Sequence, residues 1–152
     1  MTSLREIEQF VQEHSDISFS GNPATDTLID SAEKYLTVKF PETYRQFLKR
    51  WGTLSIGPLE FYGITGEDFD ASSVPNSIWY TKELRRQFNL PREFVILHDN
   101  NGCEYYMLDT NDRNGRVVVW DVPSRKVTSV KAMSLFDFIL GEAKNFLELY
   151  SE

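Results

Sequence analysis

The sequence predicts an α+β fold: a single domain over residues 1–152 with N-terminal helices, a central mainly antiparallel sheet of about five or six strands, and a C-terminal helix. Three observations predict it. Apolar residues recur at helical spacing near both ends of the chain, β-prone runs joined by short turn sequences fill residues 93–130, and the strand–helix–strand alternation of a parallel sheet is missing. With 152 residues, 41% of them apolar, the chain can bury a core without covalent staples.

Each element has a local cause. Ser3 and Glu6 form a Ser-x-x-Glu capping box ahead of Ile7, Phe10 and Val11, with Leu4 in the first turn, which places a helix over residues 4–14. Residues 18–23 read as a linker of turn formers. Leu28, Ile29, Ala32, Tyr35 and Leu36 repeat at helical spacing and give a second helix over 25–36. Pro41 suits a first helical turn, Tyr44, Phe47, Leu48 and Trp51 follow on one face, and Gly52 stands where the chain must leave, so a third helix spans 41–51. Only four residues separate it from the second, and the two are expected to pack as an angled pair.

Between residues 52 and 76, Gly52, Gly57, Gly63 and Gly66 with Pro58 and Pro75 exclude a long helix; they leave one or two short strands and an irregular loop over 65–75. Asn76 or Ser77 caps a fourth helix carrying Ile78, Trp79, Leu84 and Phe88, which Asn89-Leu90-Pro91 ends. Strands at 93–98 and 104–108 are joined by Asp99-Asn100-Asn101-Gly102, whose Asn-Gly pair signals a hairpin. Strands at 116–121 and 126–130 extend the sheet. Side chains alternate along a strand, so of Tyr105 and Tyr106 only one is expected to face the core. Ser134 and Asp137 cap a closing helix through Leu135, Phe138, Ile139, Phe146, Leu147 and Tyr150, weakened in its middle by Gly141.

Composition narrows the function. No apolar run is long enough to span a bilayer, and Met1 to Glu6 lack a basic region followed by an apolar one, so a cytoplasmic protein is expected, without a membrane partner. Cys103 is the only cysteine, which rules out an internal disulfide and a cysteine-based zinc site within one chain; it is expected to be a small buried hydrophobe. The net charge of −7 is concentrated in residues 53–112, which hold ten acids against four bases. That balance argues against nucleic acid, whose phosphates select Lys and Arg, and favours a basic protein partner.

Catalytic patterns fail in detail. His14 and His98 lie in different elements without a second ligand at helical spacing. Asp109 to Gly115 resembles a calcium loop only until Arg113 falls on a ligand position and Trp120 stands where a bidentate glutamate is needed, so a β-turn with Asx bonds is the better account. Neither a Gly-x-Ser-x-Gly turn nor a phosphate loop is present. No catalytic residue, metal, cofactor or small-molecule substrate is expected.

The order Phe40-Pro41, Tyr44, Phe47-Leu48, Gly52, then an apolar run through Leu54, Ile56 and Phe61 to Gly63, resembles the signature of the SUKH superfamily. Ile29, Ala32-Glu33 and Leu36 precede it and Leu90 to Leu97 follow it at the family's usual intervals, so the likeness spans residues 24–140. Trp51-Gly52 stands where the family commonly has Asn-Gly. The family is typified by a yeast regulator of cell-wall synthesis, and most bacterial members look like immunity proteins that neutralise polymorphic toxins, often nucleases. The resemblance implies a stoichiometric protein binder, with Pro41, Tyr44, Phe47, Leu48, Gly52 and Gly63 architectural and a cognate toxin as partner; a regulatory scaffold that binds a signalling protein is the alternative. Family members use different surfaces, so the contact residues must come from this chain. Glu67, Asp68 and Asp70 flank Phe69 in the 65–75 loop, a composition suited to a basic partner. Phe69 either docks outward with them or tucks inward while they stay solvated; the resemblance favours the former. Asp99, Glu104 and Asp112, at strand ends, are their expected companions.

Overall fold

The computed structural model describes residues 1–70 and 76–150. Residues 71–75 of the expected loop lie outside the described residues, as do 151 and 152. The order of elements is α1 (Leu4–Glu13), β1 (Ser18–Ser20), α2 (Asp26–Leu36), α3 (Glu42–Trp51), β2 (Leu54–Ile56), β3 (Leu59–Phe61), α4 (Ser77–Phe88), β4 (Phe94–Asn100), β5 (Glu104–Asp109), β6 (Val117–Asp121), β7 (Lys126–Ala132) and α5 (Leu135–Tyr150). All pairing between these strands is antiparallel, and the α+β class with helices at both ends is as expected. The strands divide between two sheets, one ordered β1-β2-β3 and one β4-β5-β6-β7.

The caps read from the sequence form. Ser3 and Glu6 make a reciprocal capping box at α1. Asn76, rather than Ser77, caps α4, its side-chain oxygen accepting from the Ile78 and Trp79 amides at 2.9 and 3.2 Å. Asn101 and Gly102 both take positive φ, 57° and 76°, which lets the β4–β5 chain reverse in the hand that suits a twisted hairpin. One strand was not legible. Residues 18–20, expected as linker, form β1, because a three-residue edge strand is made by its partner: Phe19 opposes Ser55 while its own side chain is 67% exposed.

In the four-stranded sheet β4, β5 and β6 are covered on both faces, while the edge strand β7 is exposed along nearly its whole length. Tyr106, Leu108, Val117 and Val119 point into the main core with Tyr44, Phe47, Leu48, Phe138 and Ile139. Tyr105, Met107, Val118 and Trp120 point the other way into a second cluster closed by Leu84 and, partly buried, Tyr80 and Phe88 of α4. The expectation for Tyr105 and Tyr106 is thus corrected: they do face opposite sides, but each side has a core, and both rings are buried. Cys103 is also corrected, since it follows Gly102 at the hairpin tip and is exposed.

The signature region owes its geometry to two glycines. Gly52 ends α3 at φ +73°, and a Cβ there would sit 2.1 Å from the Asn22 carbonyl oxygen. A Cβ on Gly63 would meet the Gly52 carbonyl oxygen at 1.6 Å, a separation no side chain survives. That closeness lets the Ile64 amide donate to the Gly52 carbonyl at 3.1 Å and the Ser77 amide to the Gly63 carbonyl at 2.7 Å, joining α3, the β3 exit and α4 at one point. Tyr44 adds a buried bond from its hydroxyl to the Tyr62 carbonyl at 3.0 Å. Just upstream, buried Glu33 accepts from the Phe40 amide at 2.7 Å and from Arg45 at 3.1 Å, fixing the angle between α2 and α3.

Candidate partner interface

The acidic loop sits beside α2. Phe69 is 8% exposed, its ring 5.4 Å from that of Tyr35, and Asp70 accepts the Tyr35 hydroxyl proton at 2.6 Å. Asp68 accepts from the Asp70 amide at 3.1 Å, and the Lys82 ammonium lies 5.2 Å from the centre of the Tyr35 ring. Glu67, Asp68 and Asp70 are exposed. Of the two readings of Phe69 the inward one therefore holds. It anchors the loop and is not offered to a partner, because burying a ring against Tyr35 removes more apolar surface from water than exposure among three carboxylates would allow. The bond to the Asp70 carboxylate, which favours the protonated phenol, is the first cause that pushes the Tyr35 hydroxyl up to about 12.

A second acidic group forms at one end of the four-stranded sheet. Asp99 and Glu104 flank the β4–β5 turn, where Asn100 opposes Glu104, and Glu104 opposes Asp121 of β6. Asp99 accepts from the Gly102 amide at 2.7 Å and from the Tyr80 hydroxyl at 3.0 Å, and Glu104 accepts from the Asn100 amide group at 3.2 Å. Burial, followed by the charge of Asp99, pushes the Tyr62 hydroxyl up to about 12; burial and bonds to Tyr105 and Asp99 raise Tyr80 as well. Tyr80 and its neighbour Trp79, 6.0 Å apart between ring centres, are half-buried and so present both ring surface and water-facing edges.

Asp112 belongs to neither group. It lies in the β5–β6 turn, accepting from the Arg116 amide at 2.9 Å, at the end of β5 opposite Glu104 and about 17 Å away along the strand. Next to it Asp109, 5% exposed, takes Arg116 at 2.9 Å and the Asn111 amide at 3.0 Å, so this turn closes on its own side chains as an Asx-bonded turn should. Tyr80 and Lys82, two residues apart, leave α4 about 200° apart, so the loop and the hairpin flank that helix on opposite sides. Seven residues expected as one surface thus occupy three places.

Tyr35, Trp79, Tyr80 and Asp121 are the neighbours that the sequence did not assign to these sites. Asp121 could have been found by counting antiparallel register back from the β5–β6 turn that follows Asp109, but the 35 positions separating Tyr35 from Asp70 carry no local signal. His98 gives its Nδ1 proton to the Glu60 carbonyl at 2.8 Å and stacks on Tyr106, which ties β3 to β4 and occupies the ring structurally. Among the described residues no group of three or more His, Cys, Asp or Glu could hold a metal ion, and no helix is long and apolar enough to cross a membrane.

A family model described as SMI1-KNR4 cell-wall (SUKH_6) matches residues 26–139, from the first turn of α2 to Ile139 of α5. This chain belongs to that family and hence to the SUKH superfamily. A crystal structure of a protein from Pseudomonas syringae pv. tomato has the same fold, with a TM-score of 0.64 over 85% of this chain and 92% of that one, at 16% identity. In this SUKH chain the signature glycines carry the close approach of α3 to the β3 exit, and Tyr44, Phe47 and Leu48 lie in the core with at most 1% exposure. The acidic loop is tied to that core through Phe69, which shares its buried cluster, while Glu67, Asp68 and Asp70 stay exposed.

Proposed function

We propose that this SUKH protein is an immunity protein, acting in the cytoplasm by binding a cognate toxin domain one-to-one and masking it, with no cofactor and no chemical step. The proposed partner is basic, as a nuclease domain that grips phosphate is. The observation that carries this reading is the placement of carboxylates on both flanks of α4: Glu67, Asp68 and Asp70 on the loop, and Asp99 and Glu104 at the hairpin beside Trp79 and Tyr80. Aromatic faces amid acids suit an interface in which charge steers a basic partner and ring burial retains it. Asp112, at the far end of the sheet, serves as the remote comparison.

The test takes the genes adjacent to this one and asks whether any encodes a toxin domain from which this protein protects cells. Cells expressing both proteins should survive. Reversing Glu67, Asp68 and Asp70 to lysine should abolish survival at matched expression, whereas Asp112→Lys should not. Survival with the triple variant would remove the loop from the interface. Failure of the unmodified protein to protect would favour a second reading, supported by the family model's cell-wall description: a regulator that binds a signalling protein.

A further inference from the structure

A loop bearing Glu67, Asp68 and Asp70 within four residues repels itself, and Gly66 at its start has open space around it rather than packing. Three contacts at Tyr35 oppose that repulsion. The phenol donates to Asp70 at 2.6 Å, the ring meets Phe69 at 5.4 Å, and Lys82 of α4 places its charge 5.2 Å from the ring centre. A phenol on a helix is suited to this task, since one side chain supplies an apolar face for Phe69 and a donor for the carboxylate beyond it. The remaining charged groups felt at Tyr35 are Glu83 and Arg86, also on α4, and they oppose one another.

We propose that Tyr35 is the positioning residue of the acidic loop: it holds Asp70 and, through Phe69, the carboxylates of Glu67 and Asp68 in the arrangement that meets a basic partner. This rests on the reading of the loop as a contact surface. A loop fixed in advance loses less freedom on binding, so the clasp raises affinity without touching the partner. The hydroxyl and the carboxylate are exposed, so the clasp adds local order rather than core stability.

Two variants separate the clasp from the charge. Tyr35→Phe keeps every carboxylate and the ring contact but removes the donor; Asp70→Asn keeps an acceptor for Tyr35 and removes one charge. Amide hydrogen exchange on the free protein should rise about tenfold at Phe69 and Asp70 in Tyr35→Phe, with the melting temperature and other amides unchanged, and should not change in Asp70→Asn. Affinity for the neighbouring toxin domain should fall in both variants, with the salt dependence of association reduced only in Asp70→Asn. Unchanged exchange in Tyr35→Phe overturns the clasp whatever happens to binding. Faster exchange with undiminished affinity in Tyr35→Phe overturns its role in binding, and undiminished affinity in Asp70→Asn as well counts against the loop as contact surface.

Discussion

At the residue scale, Gly63 carries the sharpest consequence. Any side chain there must push apart two backbones joined by the bond from the Ile64 amide to the Gly52 carbonyl, so Gly63→Ala should destabilise the protein by about 1–3 kcal/mol or more, the range of overpacked core substitutions, measured by urea unfolding. A cost below about 1 kcal/mol would show that the approach to Gly52 is dispensable. Tyr44 sets the response to alkali. Burial raises its phenol above the ordinary value of 10, so below that pH the folded and unfolded chains hold the same proton, and above it only the unfolded chain releases one. Stability should therefore be full at pH 9 and fall beyond pH 10 by about 1.4 kcal/mol per unit from this tyrosine alone, with Tyr62 adding to the slope. A stability that stays flat between about pH 9 and pH 12 would contradict this. Residues of this kind were legible by type and not by role. Pro41, Phe47 and Gly52 announce a helix and its end, but that the Gly63 backbone would touch that of Gly52 depends on contacts no local pattern encodes. Phe69 shows the same limit, since whether a lone aromatic among acids faces out or in is decided by Tyr35, 34 positions earlier.

At the scale of elements, periodicity located the five helices and β4, β5 and β6, because each buries a stripe or a face broad enough to impose its period, whereas β7 buries no face and is legible only from its β-branched residues. β1 was lost for the opposite reason: three residues with one outward aromatic have no period to read. The second core was also illegible. Its strands alternate apolar residues on both faces, which marks a sheet covered twice, yet the lid over the second face is a short helix whose turn-rich approach gave no hint of where it lands. α3 commits one face to the interior, with Tyr44, Phe47, Leu48 and Trp51 all buried. Phe47→Ala should cost about 3–5 kcal/mol and impair any activity only in proportion to unfolding. A variant that keeps wild-type stability but loses the partner would make α3 a contact surface instead.

For the whole molecule, the charge of −7 places a negative field around the protein, to which the carboxylates of the loop and the hairpin contribute. Attraction between exposed charges is screened over about 10 Å at 0.1 M salt, so association with a basic toxin domain should slow steeply between low and physiological ionic strength, while dissociation changes little. An association rate indifferent to salt would remove the electrostatic part of the account. The sequence placed most of this acidity correctly and overestimated its unity, because nearness along a chain of two-ended strands does not imply nearness in space: Glu104 and Asp112 close opposite ends of β5.

The central claim is stoichiometric masking, and a titration tests it most directly. Purified toxin domain is held at a concentration well above the dissociation constant, and its catalytic activity is followed as this protein is added. Activity should fall linearly to zero at one equivalent and stay there. Full activity at a large molar excess, or complete loss at a small fraction of one equivalent, would contradict masking, the first by showing that no complex forms and the second by showing that this protein acts catalytically.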